Sequence, residues 1–289
     1  MRADDLSGLD LTALTGLSDL TLIKSLQGGL GNRTFLVDHA GSKRVLRLEG
    51  QSSKLDSIDR KRESAAWALA AADGLAPALV FSDVASGIFL SDYLPGYTFN
   101  IGQAADIESL AERLRQLHNL SVDLPVVDLL DQLEIYQRAL SVRRSAHLGR
   151  AVEWRQRASG ALEIWREAHR PEALCHNDLV NANILMSGNS LYFIDWEYSG
   201  LGDPCFDLAV VVEENALDDN QTEHLVAVWG GGSVRPGPKL QSARVLYRYL
   251  CLQWYLLIGE GADEASGAQI SSAIVEQEQA LARLLDCQT

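Results

Sequence analysis

Short runs in which apolar residues are β-branched or alternate with charged ones fill the first hundred residues, and apolar residues at helical spacing fill most of the remainder. Residues 21–26, 34–37 and 44–48 are predicted strands; Gly28, Gly29 and Gly31 separate the first two, and Ala40, Gly41 and Ser42 turn the second into the third. A helix is predicted over residues 57–72, with Ile58, Trp67 and the alanines as its apolar face and Gly74 and Pro77 ending it. Two more strands, 78–82 and 87–93, flank a turn, and Pro95 with Gly96 marks a boundary. Beyond it, helices are predicted at 104–119, 129–146, 151–169, 204–216, 221–229, 238–258 and 268–285. Residues 175–198 interrupt them, with short strands at 184–186 and 191–194 around a Gly188-Asn189 turn. The expected class is α+β: residues 1–94 as an antiparallel sheet with one helix, residues 95–289 as a mainly helical domain.

A length of 289 residues predicts two lobes around one cleft, and 47% hydrophobic with 22% charged residues is ordinary globular composition. The balance of 25 basic against 39 acidic residues, net −14, argues against nucleic acid or an anionic membrane as partner. It would favour approach of cationic small molecules, although acidity also serves solubility alone. Cys175, Cys205, Cys251 and Cys287 form no C-x-x-C pair, and read as isolated thiols in a reducing compartment. The first residues lack a basic segment followed by an apolar run, and no stretch approaches the ~20 apolar residues of a membrane span, so a cytoplasmic protein is expected.

The chemistry is concentrated in His176-Asn177-Asp178-Leu179-Val180-Asn181-Ala182-Asn183, followed by Ile194-Asp195-Trp196-Glu197. Phosphoryl transfer needs an acceptor for the substrate hydroxyl's proton and oxygen ligands for the magnesium that neutralises the phosphates. A loop aspartate, an asparagine five residues on and an aspartate closing a hairpin supply those parts in chain order. Asn and Asp also favour turns for local reasons, but that reading leaves the ordered set of His176, Asn183, Asp195 and Glu197 unexplained.

This pattern, H-x-D-x-x-x-x-N and then I-D-W-E-Y, resembles the choline/ethanolamine kinase family within the wider class of aminoglycoside and thiamine kinases. Protein kinases have Arg where this chain has Asn177, and Phe-Gly where it has Trp196-Glu197. The resemblance runs from about Leu26 to Tyr255 and implies a bilobal protein-kinase-like fold that uses ATP and Mg2+. It implies that Asp178 deprotonates the acceptor hydroxyl, that His176 braces the loop, and that Asn183, Asp195 and Glu197 hold magnesium. Asp207 matches a position that anchors the catalytic loop, with a helix-start carboxylate as the competing reading.

For the nucleotide, the resemblance places Gly29, Gly31 and Asn32 on a loop over the phosphates, where glycines let backbone N–H groups approach an anion. Arg47 stands where protein kinases carry a phosphate-pairing lysine, with Glu63 as its partner on the following helix. The backbone of Asp92 and Leu94 would meet the adenine edge at the hinge. For the acceptor, Tyr198 matches a pocket tyrosine, and Trp254 falls near a tryptophan pair of which this chain keeps one member. Core packing is the alternative for Trp254, and Trp67, Trp154, Trp165, Trp196 and Trp229 read as packing. Glu213 and Glu214 add negative charge for a cationic head group. A small cationic alcohol is the implied partner, choline or ethanolamine first, then thiamine or an aminoglycoside; such kinases are often homodimers. A catalytically dead nucleotide-binding protein would have lost one of Asp178, Asn183 and Asp195, all of which are present.

Overall fold

The computed structural model describes residues 11–26, 32–50, 58–232, 234–260 and 264–286. The glycine-rich loop with Gly29 and Gly31 lies outside them. The chain divides into two compact units, residues 1–99 with 183–198 and residues 100–182 with 199–289.

The first unit is built on a five-stranded antiparallel sheet of β1 (Leu20–Leu26), β2 (Asn32–His39), β3 (Ser42–Glu49), β5 (Ile88–Asp92) and β4 (Leu79–Asp83), in that order. Side chains alternate between the faces of a strand. On one face Phe35, Val37, Leu46, Leu48, Ile88 and Leu90 form an apolar core, capped by Leu11 of the short helix α1 (Leu11–Thr15), which the sequence did not reveal. The register sets Arg47 opposite Phe89, so the other face carries an arginine among aromatic rings. Helix α2 (Arg60–Ala72) begins later than residue 57 because Asp59 is its N-cap, accepting from the N–H groups of Lys61 and Arg62 at 3.0 and 3.1 Å. Ile58 therefore precedes the helix instead of lining its face.

A second sheet of this unit joins β6 (Tyr97–Thr98), β8 (Ile184–Ser187) and β9 (Ser190–Phe193). The predicted hairpin is present, with Gly188 at φ 59° in its turn. The units do not divide at residues 94/95: residues 95–99 and 183–198, assigned from sequence to a second domain, join the first unit, where Phe193 N–H donates to Leu75 O at 2.7 Å.

The second unit is mostly helical: α3 (Ala104–His118), α4 (Leu129–Val142), α5 (Leu148–Ala168), α6 (Pro204–Glu214), α7 (Asp219–Trp229), α8 (Pro238–Gly259) and α9 (Glu264–Asp286). Helix α4 stops short of the expected residue 146, and Arg144 follows in the left-handed region at φ 54°. A two-stranded pair, β7 (Ala173–Cys175) and β10 (Gly200–Gly202), was not legible in the sequence; three-residue strands carry no periodicity. Ala209, Val210, Val211, Leu246, Tyr249 and Leu256 lie in its core. Among the described residues no helix is long and apolar enough to cross a membrane.

Candidate active site

In the first unit the candidate residues meet in a buried cluster of charge. Arg47, only 6% exposed, lies over the Phe89 ring, 4.7 Å from its centroid, with Trp67 stacked on Phe89. Its guanidinium pairs with Glu63 and, at 2.5 Å, with Asp195 Oδ1. Burial alone would lower the Arg47 pKa, but the charges of Glu63, Asp195 and Glu197 outweigh it and hold the side chain firmly protonated. Glu63 is fully buried in the first turn of α2, so the expected pair with Arg47 is present and neither residue is a solvent charge.

The hairpin carries the oxygen donors. Asn183 is buried in a single 3₁₀ turn, Asn181–Asn183, and its carbonyl accepts from Ile194 N–H at 3.0 Å, tying it to the strand that leads into Asp195. Asp195 is in the left-handed region at φ 64°, a conformation that Asn and Asp tolerate better than most residues and that often marks functional positions. Glu197 accepts from Asn32 Nδ2 at 2.8 Å. Asn32 thus begins β2 and reaches a carboxylate, whereas the sequence placed it on the phosphate loop. Burial first, and then the charge of Asp195, push the Glu197 carboxyl up to about 7.

Two further residues of this cluster were missed. Arg60 donates to Glu49 Oε1 at 2.9 and 3.1 Å, to Glu63 Oε2 at 2.7 Å and to Glu197 Oε2 at 3.4 Å. Its spacing from Glu63, three positions on one helix, was the available signal; Glu49 gave none. When all are ionised, four carboxylates (Glu49, Glu63, Asp195, Glu197) face two arginines, leaving two negative charges uncompensated. Asn183, Asp195 and Glu197 offer only oxygen, and that excess of charge is the complement of one hard dication such as Mg2+. At the end of β5, Asp92 pairs through its side chain with Arg44, and its N–H donates to Ala78 O at 2.9 Å; Tyr93 to Gly96, with Leu94, follow without regular structure.

In the second unit the loop after β7 hangs from Asp207. The Asp207 carboxylate, fully buried, accepts from the backbone N–H groups of His176 at 2.8 Å and Asn177 at 2.7 Å. The N-cap of α6 is Asp203, which accepts from Cys205 N–H at 3.0 Å, while Asp207 lies in the first turn of that helix, so it is a helix-start carboxylate that also holds the loop. His176 is fully buried beside it, Asn177 sits at φ 62°, and Asp178 is half-buried one residue on.

Asp207 has a third partner that the sequence did not show. Trp229 Nε1–H donates to His118 Nδ1 at 2.9 Å, which leaves the His118 ring proton on Nε2 to be donated to Asp207 at 3.0 Å. Trp229 is therefore a hydrogen-bond donor as well as a packing residue. His118, Cys175 and Asp207 bring ligand atoms within 4.8 Å of one another. Hydrogen bonding already accounts for two of them, and burial pushes the Cys175 thiol well up, against the thiolate that a metal would need.

Glu213 is held by Arg244 at 2.6 Å and Arg248 at 2.7 Å, so its charge is answered within the unit. Glu214 pairs with Arg248 at 3.3 Å and accepts from Tyr247 at 2.8 Å, while its backbone carbonyl accepts from Asn181 at 3.3 Å. Trp254 is half-buried, packed edge-on to Tyr255 at 5.0 Å, and so is not a core residue of the ordinary kind. The Tyr255 hydroxyl is pushed up by burial and then by the charges of Cys251, Glu214, Glu276 and Asp178. Tyr198 is half-buried and belongs to the first unit.

Residues 22–241 match a family described as "Phosphotransferase enzyme family". Protein LicA of Haemophilus influenzae is 30% identical over 209 residues, spanning 70% of this chain but only 61% of that protein. A thiamine kinase of Shigella boydii is 29% identical over 203 residues, 69% of each chain. The crystal structure of choline kinase LicA from Streptococcus pneumoniae superposes over 96% of both chains with a TM-score of 0.76 at 19% identity, a likeness of fold.

Proposed function

Because the chain belongs to the phosphotransferase enzyme family, we propose that it moves the γ-phosphate of ATP to the hydroxyl of a small cationic alcohol, choline or ethanolamine first. The observation that carries this reading is the loop held by Asp207 through the N–H groups of His176 and Asn177, with Asp178 half-buried one residue on, in a chain where Asn183, Asp195 and Glu197 offer oxygen ligands.

In this reading Asp178 accepts the proton of the attacking hydroxyl and aims that oxygen at phosphorus. Asn183, Asp195 and Glu197 hold the Mg2+ that comes with the nucleotide; when bound, that ion neutralises phosphate charge and orients the phosphoryl group. Arg47, kept in place by Glu63 and the Phe89 face, pairs with phosphate oxygens. The backbone at Asp92 and Leu94 takes the adenine edge. His176 packs beneath the loop. For a cationic head group the candidate aromatic faces are Trp254 and Tyr255 on α8, with Tyr198 as the further acceptor residue that the resemblance implies. The protein would act in the cytoplasm; kinases of the kind it resembles are often homodimers. Thiamine is the runner-up acceptor, favoured by the 29% identity to a thiamine kinase.

The decisive experiment measures ADP release with choline, ethanolamine, thiamine and an aminoglycoside in turn. Turnover of choline or ethanolamine supports the proposal, thiamine alone would install the runner-up, and silence with all four would overturn both. In the same assay Asp178→Ala should lower kcat by about 10²–10⁴-fold, the usual worth of a positioned general base. Its affinity for magnesium-nucleotide, read by calorimetry, should stay within about twofold of the parent, since on this reading Asp178 holds neither the metal nor the nucleotide.

A further inference from the structure

We propose that Arg60 is a positioning residue of the metal half of this site, fixing Glu197 for the nucleotide-bound dication. The inference rests on the reading of Asp195 and Glu197 as magnesium ligands.

Buried Glu63 is shared by two arginines, each of which reaches one of those ligands. Arg47 holds Glu63 and Asp195; Arg60 holds Glu63 and Glu197. Arg60 is itself fixed. It is 8% exposed, it opens α2 one residue after the Asp59 cap, and two of its nitrogens grip one oxygen of Glu49 at the end of β3. A planar fork of donors spans three carboxylates in a way that a lysine ammonium cannot. Glu197 is buried, and its Oε2 accepts from both Asn32 Nδ2 and Arg60 Nη1, so these two donors fix the orientation of its carboxylate.

Simple electrostatics makes the opposite forecast. Removing a cation from beside two metal ligands should strengthen binding of a dication. If Arg60 positions Glu197, removing it should weaken that binding instead. The sign separates the two.

The test is calorimetry of a non-hydrolysable ATP analogue with and without Mg2+, on the full chain. Arg60→Ala should weaken the magnesium complex at least tenfold and leave metal-free analogue binding within twofold. Arg60→Lys, which keeps the charge but not the fork, should recover less than half of that loss in free energy, and Glu49→Gln should reproduce part of it. Unchanged or tighter magnesium binding in Arg60→Ala, or full recovery in Arg60→Lys, overturns the proposal. Should Arg60→Ala fail to fold, Arg60→Lys and Glu49→Gln still decide: parental magnesium affinity in both refutes it. Asp195→Ala serves as the reference. If it keeps the parental magnesium dependence, the metal-ligand reading is what fails; if it loses it while the Arg60 variants do not, Arg60 alone is refuted.

Discussion

Asp207 accepts two consecutive backbone N–H groups and a histidine N–H, so both carboxylate oxygens are engaged inside the core of its unit. A neutral amide at that position has one accepting oxygen and would turn an N–H2 toward at least one of those donors. Asp207→Asn is therefore expected to destabilise the protein by about 1–3 kcal/mol, the cost of a buried donor left without an acceptor. Denaturant melts measure that loss, and phosphotransfer should fall with it because the loop carries Asp178. From sequence Asp207 had two readings, a carboxylate at a helix start or the anchor of the loop, and the fold gives it both positions: it lies in the first turn of α6, behind the Asp203 cap, and it accepts from the loop's N–H groups.

At the scale of elements, the hairpin of β8 and β9 was legible because a Gly-containing two-residue turn between apolar runs has few other outcomes. The strand that completes its sheet was not. β6 has two residues, and what lets it approach is Gly96, where a Cβ would lie 2.2 Å from the carbonyl oxygen of Met186. Gly96→Ala should push β6 off β8 and lower the melting temperature by several degrees, the effect of about 1–3 kcal/mol of overpacking. Hydrogen exchange at Phe99, whose N–H donates to Ile184 O at 2.8 Å, should quicken in that variant. A melting curve and exchange rate equal to the parent's would show that the close approach does not hold the sheet together.

At the scale of the whole molecule the relevant quantity is a net charge of −14. Much of the acidity near the candidate residues is answered by arginine, as at Glu63, Glu213 and Glu214, so attraction of a cationic acceptor would come from the molecule's summed field. With a Debye length of about 10 Å at 0.1 M salt, that field should be screened at moderate ionic strength. kcat/KM for a cationic acceptor is expected to fall as sodium chloride rises from about 0.02 to 0.5 M, across which screening tightens severalfold. A flat profile would leave the acidic surface to solubility alone.

The sequence by itself determined the α+β class and nearly every strand and helix long enough to show a period, and its motif spacing nominated the candidate residues from His176 to Glu197, because periodicity and spacing are local properties of the chain. The family resemblance also paired Arg47 with Glu63, and that ion pair is present. Tertiary structure decided what depends on burial and on partners far apart in the chain. It moved residues 183–198 into the first unit, bonded Asp207 to the N–H groups of His176 and Asn177, joined His118 and Trp229 to it, and drew Arg60 and Glu49 into the charged cluster. A buried charge needs a counter-charge, and nothing in a linear pattern says which residue, a hundred positions away, will supply it.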